Sequence, residues 1–400
     1  MAINRILQAF LVLLVCSCTI ENQNELAEEW RGNLQLNDSI NLPVDFGIHF
    51  SELDSILTLK NGKEDLSYRI ERSNDEGFQV RLEPYNSELY FKVDGDKLTG
   101  EWRYLVKGPE YIIGFEAIPV KDSQVEFRSE KTEKYQVQFG EGKNAYPAIL
   151  LMQQDKNQLR GTFKTETGDY RFLAGEQNNE TISLSCFDGA HAFVFTATIK
   201  GDSLINGVFY SGNHYSDSWT AFANDSFELT DPTKLTKVVA DSTFRFSLKS
   251  ADGRWINEKN YDLNNRVTCI QIMGTWCPNC KDETEFLKQV RRKYPKDKVQ
   301  VFAAAFEYEK DTLKAFNRIK KYSESMEMNY PIYYGGGTSK NRVTDVFPDL
   351  DKVISYPTLI ILDKNGKPQL VHTGFNGPAT DEYQHFEEDT YSLIDSLILN

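Results

Sequence analysis

Two thiols stand three residues apart in Gly274-Thr275-Trp276-Cys277-Pro278-Asn279-Cys280, directly after the apolar run Val267 to Met273. An apolar run of that length bounded by turn residues predicts a buried strand, and the residues that follow carry a helical pattern. A cysteine at such a strand-to-helix junction lies beside unpaired backbone N–H groups and the positive end of the helix dipole, which favours thiolate over thiol. Pro278 at the first helical position loses no hydrogen bond and is already fixed near helical φ. The spacing therefore predicts Cys277 as the attacking thiol and Cys280, one turn further in, as the resolving thiol. Structural zinc is the rival chemistry, but it needs about four ligands, and no second Cys/His pair stands at comparable spacing. Thiol exchange needs no metal and no cofactor.

The elements that must hold this pair follow in alternation. Phe286, Leu287, Val290 and Tyr294 continue the Cys-x-x-Cys helix at helical spacing. Val299 to Phe306 predicts a second buried strand, 310–326 a helix, 330–334 a strand and 339–346 a short helix. Residues 358–372 predict a hairpin and 381–399 a closing helix. Strands alternating with helices and ending in a hairpin imply an α/β domain with a mixed sheet over 240–400.

Residues 30–228 have another rhythm. Alternating apolar runs such as Leu89 to Val93 and Phe193 to Thr198 are punctuated by turn residues. A hairpin unit recurs with glycine in mid-strand, at Gly100, Gly161 and Gly207, each followed two residues later by an aromatic. This predicts one β-rich domain, an antiparallel barrel or sandwich built by meander. Three polar and aromatic clusters, 168–172, 187–191 and 211–215, could line a pocket, but Gly-Asp, Asp-Gly and Gly-Asn are first of all turn chemistry. Cys186 reads as a small buried hydrophobe, with a bridge to Cys269 as the alternative. Residues 229–239, where periodicity lapses around Pro232, read as a linker.

The N-terminus, basic at Arg5 and then apolar from Ile6 to Val15, predicts an export signal too short to span a membrane. Cys16-Ser17-Cys18 resembles a bacterial lipobox, which implies lipidation of Cys18 and a membrane anchor without a span. Residues 19–29 then form a tether. These features predict a cell-envelope, periplasmic protein held at a membrane, the outer one favoured, through Cys18. The net charge of -14 excludes nucleic acid as a partner.

Residues 240–400 resemble the thioredoxin fold, and within it the TlpA/ResA-like thiol-disulfide oxidoreductases of the bacterial envelope. The resemblance rests on the Cys277/Cys280 motif, on Ser355-Tyr356-Pro357-Thr358 and on the extra helix and strand between 310 and 334. It implies a cis Pro357 against the Cys277 sulfur. Trp276, Pro278, Tyr356 and Pro357 would then surround a substrate segment. It also implies a catalytic role for Glu283, as a partly buried carboxylate that takes the proton of Cys280; the competing account is an acid placed near a helix N-terminus. Gln271 stands where thioredoxins have a buried aspartate. The implied partners are protein disulfides and a membrane electron donor. A peroxiredoxin frame fits less well, because Thr275 is only two residues before Cys277. The other reading is a ligand- or envelope-binding lipoprotein whose thioredoxin-like half is accessory.

Overall fold

The computed structural model describes residues 28–51, 54–73, 77–120 and 127–399. The expected export signal, the lipidated Cys18 and most of the tether lie outside the described residues.

The N-terminal half closes twice. Eight antiparallel strands from Glu29–Gln35 to Ile112–Pro119 run as a meander, and the last pairs with the first, Gly32 opposite Ala117. A second meander starts at Thr132–Phe139 and ends at Tyr215–Ala223, which pairs back onto the first strand with Ala221 opposite Val137. Each ring has its own core, one around Trp30, Phe46 and Trp102, the other around Phe139, Phe163 and Trp219. The antiparallel barrel architecture expected over 30–228 is present, as two rings in tandem. Alternation and turns are local signals and read the same for one ring or two; only strand pairing decides where a ring closes.

The recurring mid-strand glycines have a packing reason. A Cβ on Gly100 would overlap the Tyr90 carbonyl oxygen across the strand pair, and one on Gly161 would overlap that of Leu151. Aromatic rings fill the second barrel, with Phe195 stacked on Phe209 at 4.5 Å between centroids and Phe163 edge-on to Trp219 at 5.2 Å. Of its polar clusters, 168–172 sends Tyr170 into this interior against Phe163, Phe195 and Phe209, while 211–215 stays at a strand connection.

The C-terminal sheet is mixed. Its central strand, Val267–Met273, is buried throughout and pairs in parallel with Val299–Glu307 and antiparallel with Thr358–Leu362. Helices α1 (Pro278–Lys293) and α4 (Glu382–Leu399), with Tyr322 of α2 (Thr312–Ser325), cover one face. The short α3 (Lys340–Val346) and Phe244, Phe246 and Leu248 cover the other. The linker does not hang free: Leu235 and Thr236 are buried, Thr236 exchanges a hydroxyl hydrogen bond with Thr373, and Val238 bridges to Leu350. Cys186 and Cys269 are both buried and free, in different cores, so no bridge joins them.

Candidate active site

Cys277 and Cys280 form a disulfide at the start of α1, with Cys277 as N-cap and Pro278 in the first turn. The Cys280 N–H donates to the Cys277 sulfur at 3.2 Å, so the sulfur already sits where backbone dipoles stabilise negative charge. Tyr356–Pro357 is cis, and the Tyr356 carbonyl oxygen lies 3.5 Å from the Cys277 sulfur. Cys277 has no proton to give in the disulfide, so this is a contact and not a hydrogen bond. Cys277 is 5% exposed and Cys280 fully buried. Trp276 is pinned by its indole N–H, which donates to the Phe306 carbonyl at 3.0 Å, and it packs on Tyr308 and Tyr356.

Glu283 is fully buried rather than partly so, because α1 turns it into the core between sheet and helix and not toward solvent. Neither of its oxygens has a hydrogen-bond partner among the described residues. Gln271 donates to the Cys280 carbonyl at 3.0 Å and accepts from Thr284 and Tyr330. Burial pushes the Glu283 carboxyl up to about 8. Burial and the nearby Glu283 push the Cys269 thiol up to about 12, so that thiol is inert at neutral pH. On the other side of the redox loop, Glu307 accepts from the Thr275 N–H at 3.0 Å and its hydroxyl at 2.7 Å. Arg318 of α2 ties the Thr275 carbonyl to that of Pro84 in the first barrel.

The two barrels reach this site through the turns that sequence reasoning set aside. Gly168 carries φ of +134°, and a Cβ there would strike the Asn279 amide. That amide, between the two cysteines, donates at 3.1 Å to both the carbonyl and a carboxylate oxygen of Asp169 and at 3.0 Å to the Phe375 carbonyl. Ser355, next to the cis pair, donates to the Thr167 carbonyl at 2.8 Å. Arg171, held at φ 60°, is buried among carboxylates of all three units: Glu64 of the first barrel at 2.5 Å, Asp188 of the second at 3.3 Å, and Asp282 of α1. Burial raises Glu64 and opposes charge on Asp188, but His191 and Arg171 hold Asp188 below the usual carboxylate range.

The three units leave a cleft of about 520 Å³ with Cys277 on its wall. Tyr104 and Tyr111 come from the first barrel, His191, Phe193 and His214 from the second, and Tyr356 from the C-terminal domain. The signal that could have found these residues was the presence of aromatics and histidines inside turn motifs, which turn chemistry alone does not ask for.

Residues 239–370 match the AhpC/TSA family. The C-terminal domain is thioredoxin-like. A thioredoxin-like protein of Bacillus subtilis, YneN, is 26% identical over 129 residues, 32% of this chain and 68% of that protein. The thiol-disulfide oxidoreductase ResA of Geobacillus thermodenitrificans is 26% identical over 156 residues, 39% of this chain and 80% of that protein. Among solved structures, a thioredoxin-family thiol:disulfide interchange protein from Chlorobium tepidum covers 39% of this chain and 95% of its own, at 17% identity and a TM-score of 0.30. A DsbF homologue from Corynebacterium diphtheriae covers 43% and 99%, at 19% identity and a TM-score of 0.31. Each of these matches leaves most of the chain's length uncovered.

Proposed function

We propose that this chain is a periplasmic, membrane-anchored thiol-disulfide oxidoreductase that reduces protein disulfides through Cys277 and Cys280. One observation carries the reading: the disulfide sits at the N-terminus of α1 with the Tyr356 carbonyl against the Cys277 sulfur. In the reduced chain the Cys277 thiolate attacks one sulfur of a substrate disulfide. A bond forms between Cys277 and that sulfur, and the other substrate sulfur leaves as a thiolate. Cys280 then attacks the Cys277 sulfur, closing the disulfide and releasing the second substrate thiol, so that two electrons have passed to the substrate. Glu283 takes the proton that Cys280 must lose, with Pro357, Tyr356, Trp276 and Pro278 around the incoming sulfur. A dithiol donor at the membrane restores the pair, and Cys18 provides the anchor.

The cleft gives a specific reason to weigh the binding-protein reading. A ligand-sized cavity is present, but the disulfide is on its wall and not sealed behind it, which favours exchange chemistry. The test is equilibration of the mature chain in dithiothreitol redox buffers with alkylation of free thiols. Cys277 and Cys280 should interconvert as a pair, and Cys277→Ser should remove turnover of a disulfide substrate. A pair that stays oxidised throughout would end the enzyme reading.

A further inference from the structure

The cleft above Cys277 differs in charge from the rest of the molecule. The chain carries -14, yet Asp169 is the sole carboxylate among the described residues lining the cleft. That carboxylate is occupied: it accepts from Asn279 at 3.1 Å and from the Gly377 N–H at 3.2 Å, and burial pushes it up to about 7. Two ammonium groups stand at the rim, Lys107 from the first barrel and Lys340 from α3. Neither forms an ion pair with a described residue. Lys107 donates to His214 Nε2 at 2.8 Å, and the ring's other nitrogen lies 3.2 Å from the Tyr111 hydroxyl. An imidazole that accepts from lysine is neutral, so that group of three bears one positive charge. Lys340 donates to the Ile354 carbonyl at 2.5 Å and lies 5.0 Å from the centre of the Tyr356 ring. Between the two cations the walls are aromatic, and at their base is a sulfur only 5% exposed.

A space of about 520 Å³ is within the ~300–1,000 Å³ range of small-ligand pockets. It admits a short stretch of extended chain and not a folded surface. Uncompensated cations at a rim steer anions and set which partners approach. We propose that the cleft selects cysteine-bearing peptide segments with carboxylates flanking the cysteine, which Lys107 and Lys340 hold while the cysteine sulfur meets Cys277. This assignment rests on the oxidoreductase reading and names its substrate class. The chemistry is the exchange already written: the segment's S–S bond breaks as its sulfur bonds to Cys277, and Cys280 then releases the segment as a thiol.

Two synthetic cysteine peptides of equal length, one flanked by glutamates and one by lysines, are each capped as mixed disulfides with thionitrobenzoate and given to the reduced full chain. Release of the coloured thiolate reports the rate. The acidic peptide should react about tenfold faster at low salt, and the advantage should shrink as added salt shortens the Debye length well below its value of about 10 Å at 0.1 M. In Lys107→Glu/Lys340→Glu the preference should reverse. Equal rates for the two peptides in the wild-type chain, or a preference that survives the double reversal, would overturn the assignment. Release that proceeds equally well in Cys277→Ser would instead bring down the oxidoreductase reading beneath it.

Discussion

Glu283 shows how a single buried group links stability to chemistry. Its carboxyl is raised by burial from an ordinary carboxylate value to about 8. The folded chain therefore holds a proton that the unfolded chain gives up above about pH 4.5. Stability from this group is fully present at low pH, falls as pH rises toward 8, and falls no further above it. Glu283→Gln removes the ionisation. Relative to the wild-type chain it should gain on the order of a few kcal/mol between pH 5 and 9, read as a rising difference in thermal midpoint with the disulfide intact. Glu307 and Asp169, both raised to about 7 by burial, are present in both chains and cancel. The same substitution tests the proton-transfer role. Resolution of a trapped Cys277 mixed disulfide should accelerate through pH 8 in the wild-type chain and should be slower by about a hundredfold, without that acceleration, in Glu283→Gln. A merely structural glutamate would leave the resolution rate unmoved.

At the scale of elements, the redox helix is not a free-standing part of the C-terminal domain. Asn279 and Asp282, on the first turns of α1, are held by Asp169 and Arg171 of the second barrel. Arg171 also ties in Glu64 and Asp188, so one guanidinium neutralises charge at the meeting point of three units. Removing one partner from such a buried group leaves the others uncompensated, at a cost of about 3–5 kcal/mol. Arg171→Met should lower the thermal midpoint and speed hydrogen exchange along 164–171 and the start of α1. It should also raise the alkylation rate of reduced Cys277, since the turn that narrows access to the cleft would loosen. If alkylation is unchanged while stability drops, the cluster holds the units together without governing access to the sulfur.

At the scale of the molecule, two filled barrels and a thioredoxin-like domain meet around one cleft, and Cys277, only 5% exposed, is on its wall. The units are joined by apolar packing, such as Phe187 of the second barrel edge-on to Trp102 of the first at 5.1 Å, and by polar contacts. Asn61 exchanges hydrogen bonds with Phe187 at 2.9 and 3.2 Å between the barrels, and Arg318 reaches Pro84 from α2. The proposed anchor at Cys18 has its own test. Cys18→Ser, expressed in a bacterium with an intact lipoprotein pathway, should move the protein from the membrane fraction to the soluble periplasm. Retention in the membrane fraction would mean that something other than an acyl anchor holds it.

By itself the sequence determined what depends on neighbours along the chain. Cys277 and Cys280 are three residues apart, so one helix turn is enough to pair them. The buried strand 267–273, α2 and the hairpin near Pro357 are legible because apolar periodicity and turn residues are local properties. The sequence also contained Asp169, Arg171, His191 and His214 in stretches that read as turns; His214 is in a turn, whereas Asp169 pairs with Lys164 in a short strand. Tertiary structure alone decided that Asp169, His191 and His214, far apart in the chain, line one cleft with Cys277. It also decided that the β half closes as two rings rather than one and that Glu283 is sealed from water. Ring closure depends on pairings such as Gly32 with Ala117, and convergence of distant loops on contacts such as Arg171 with Asp282, and no local pattern encodes them.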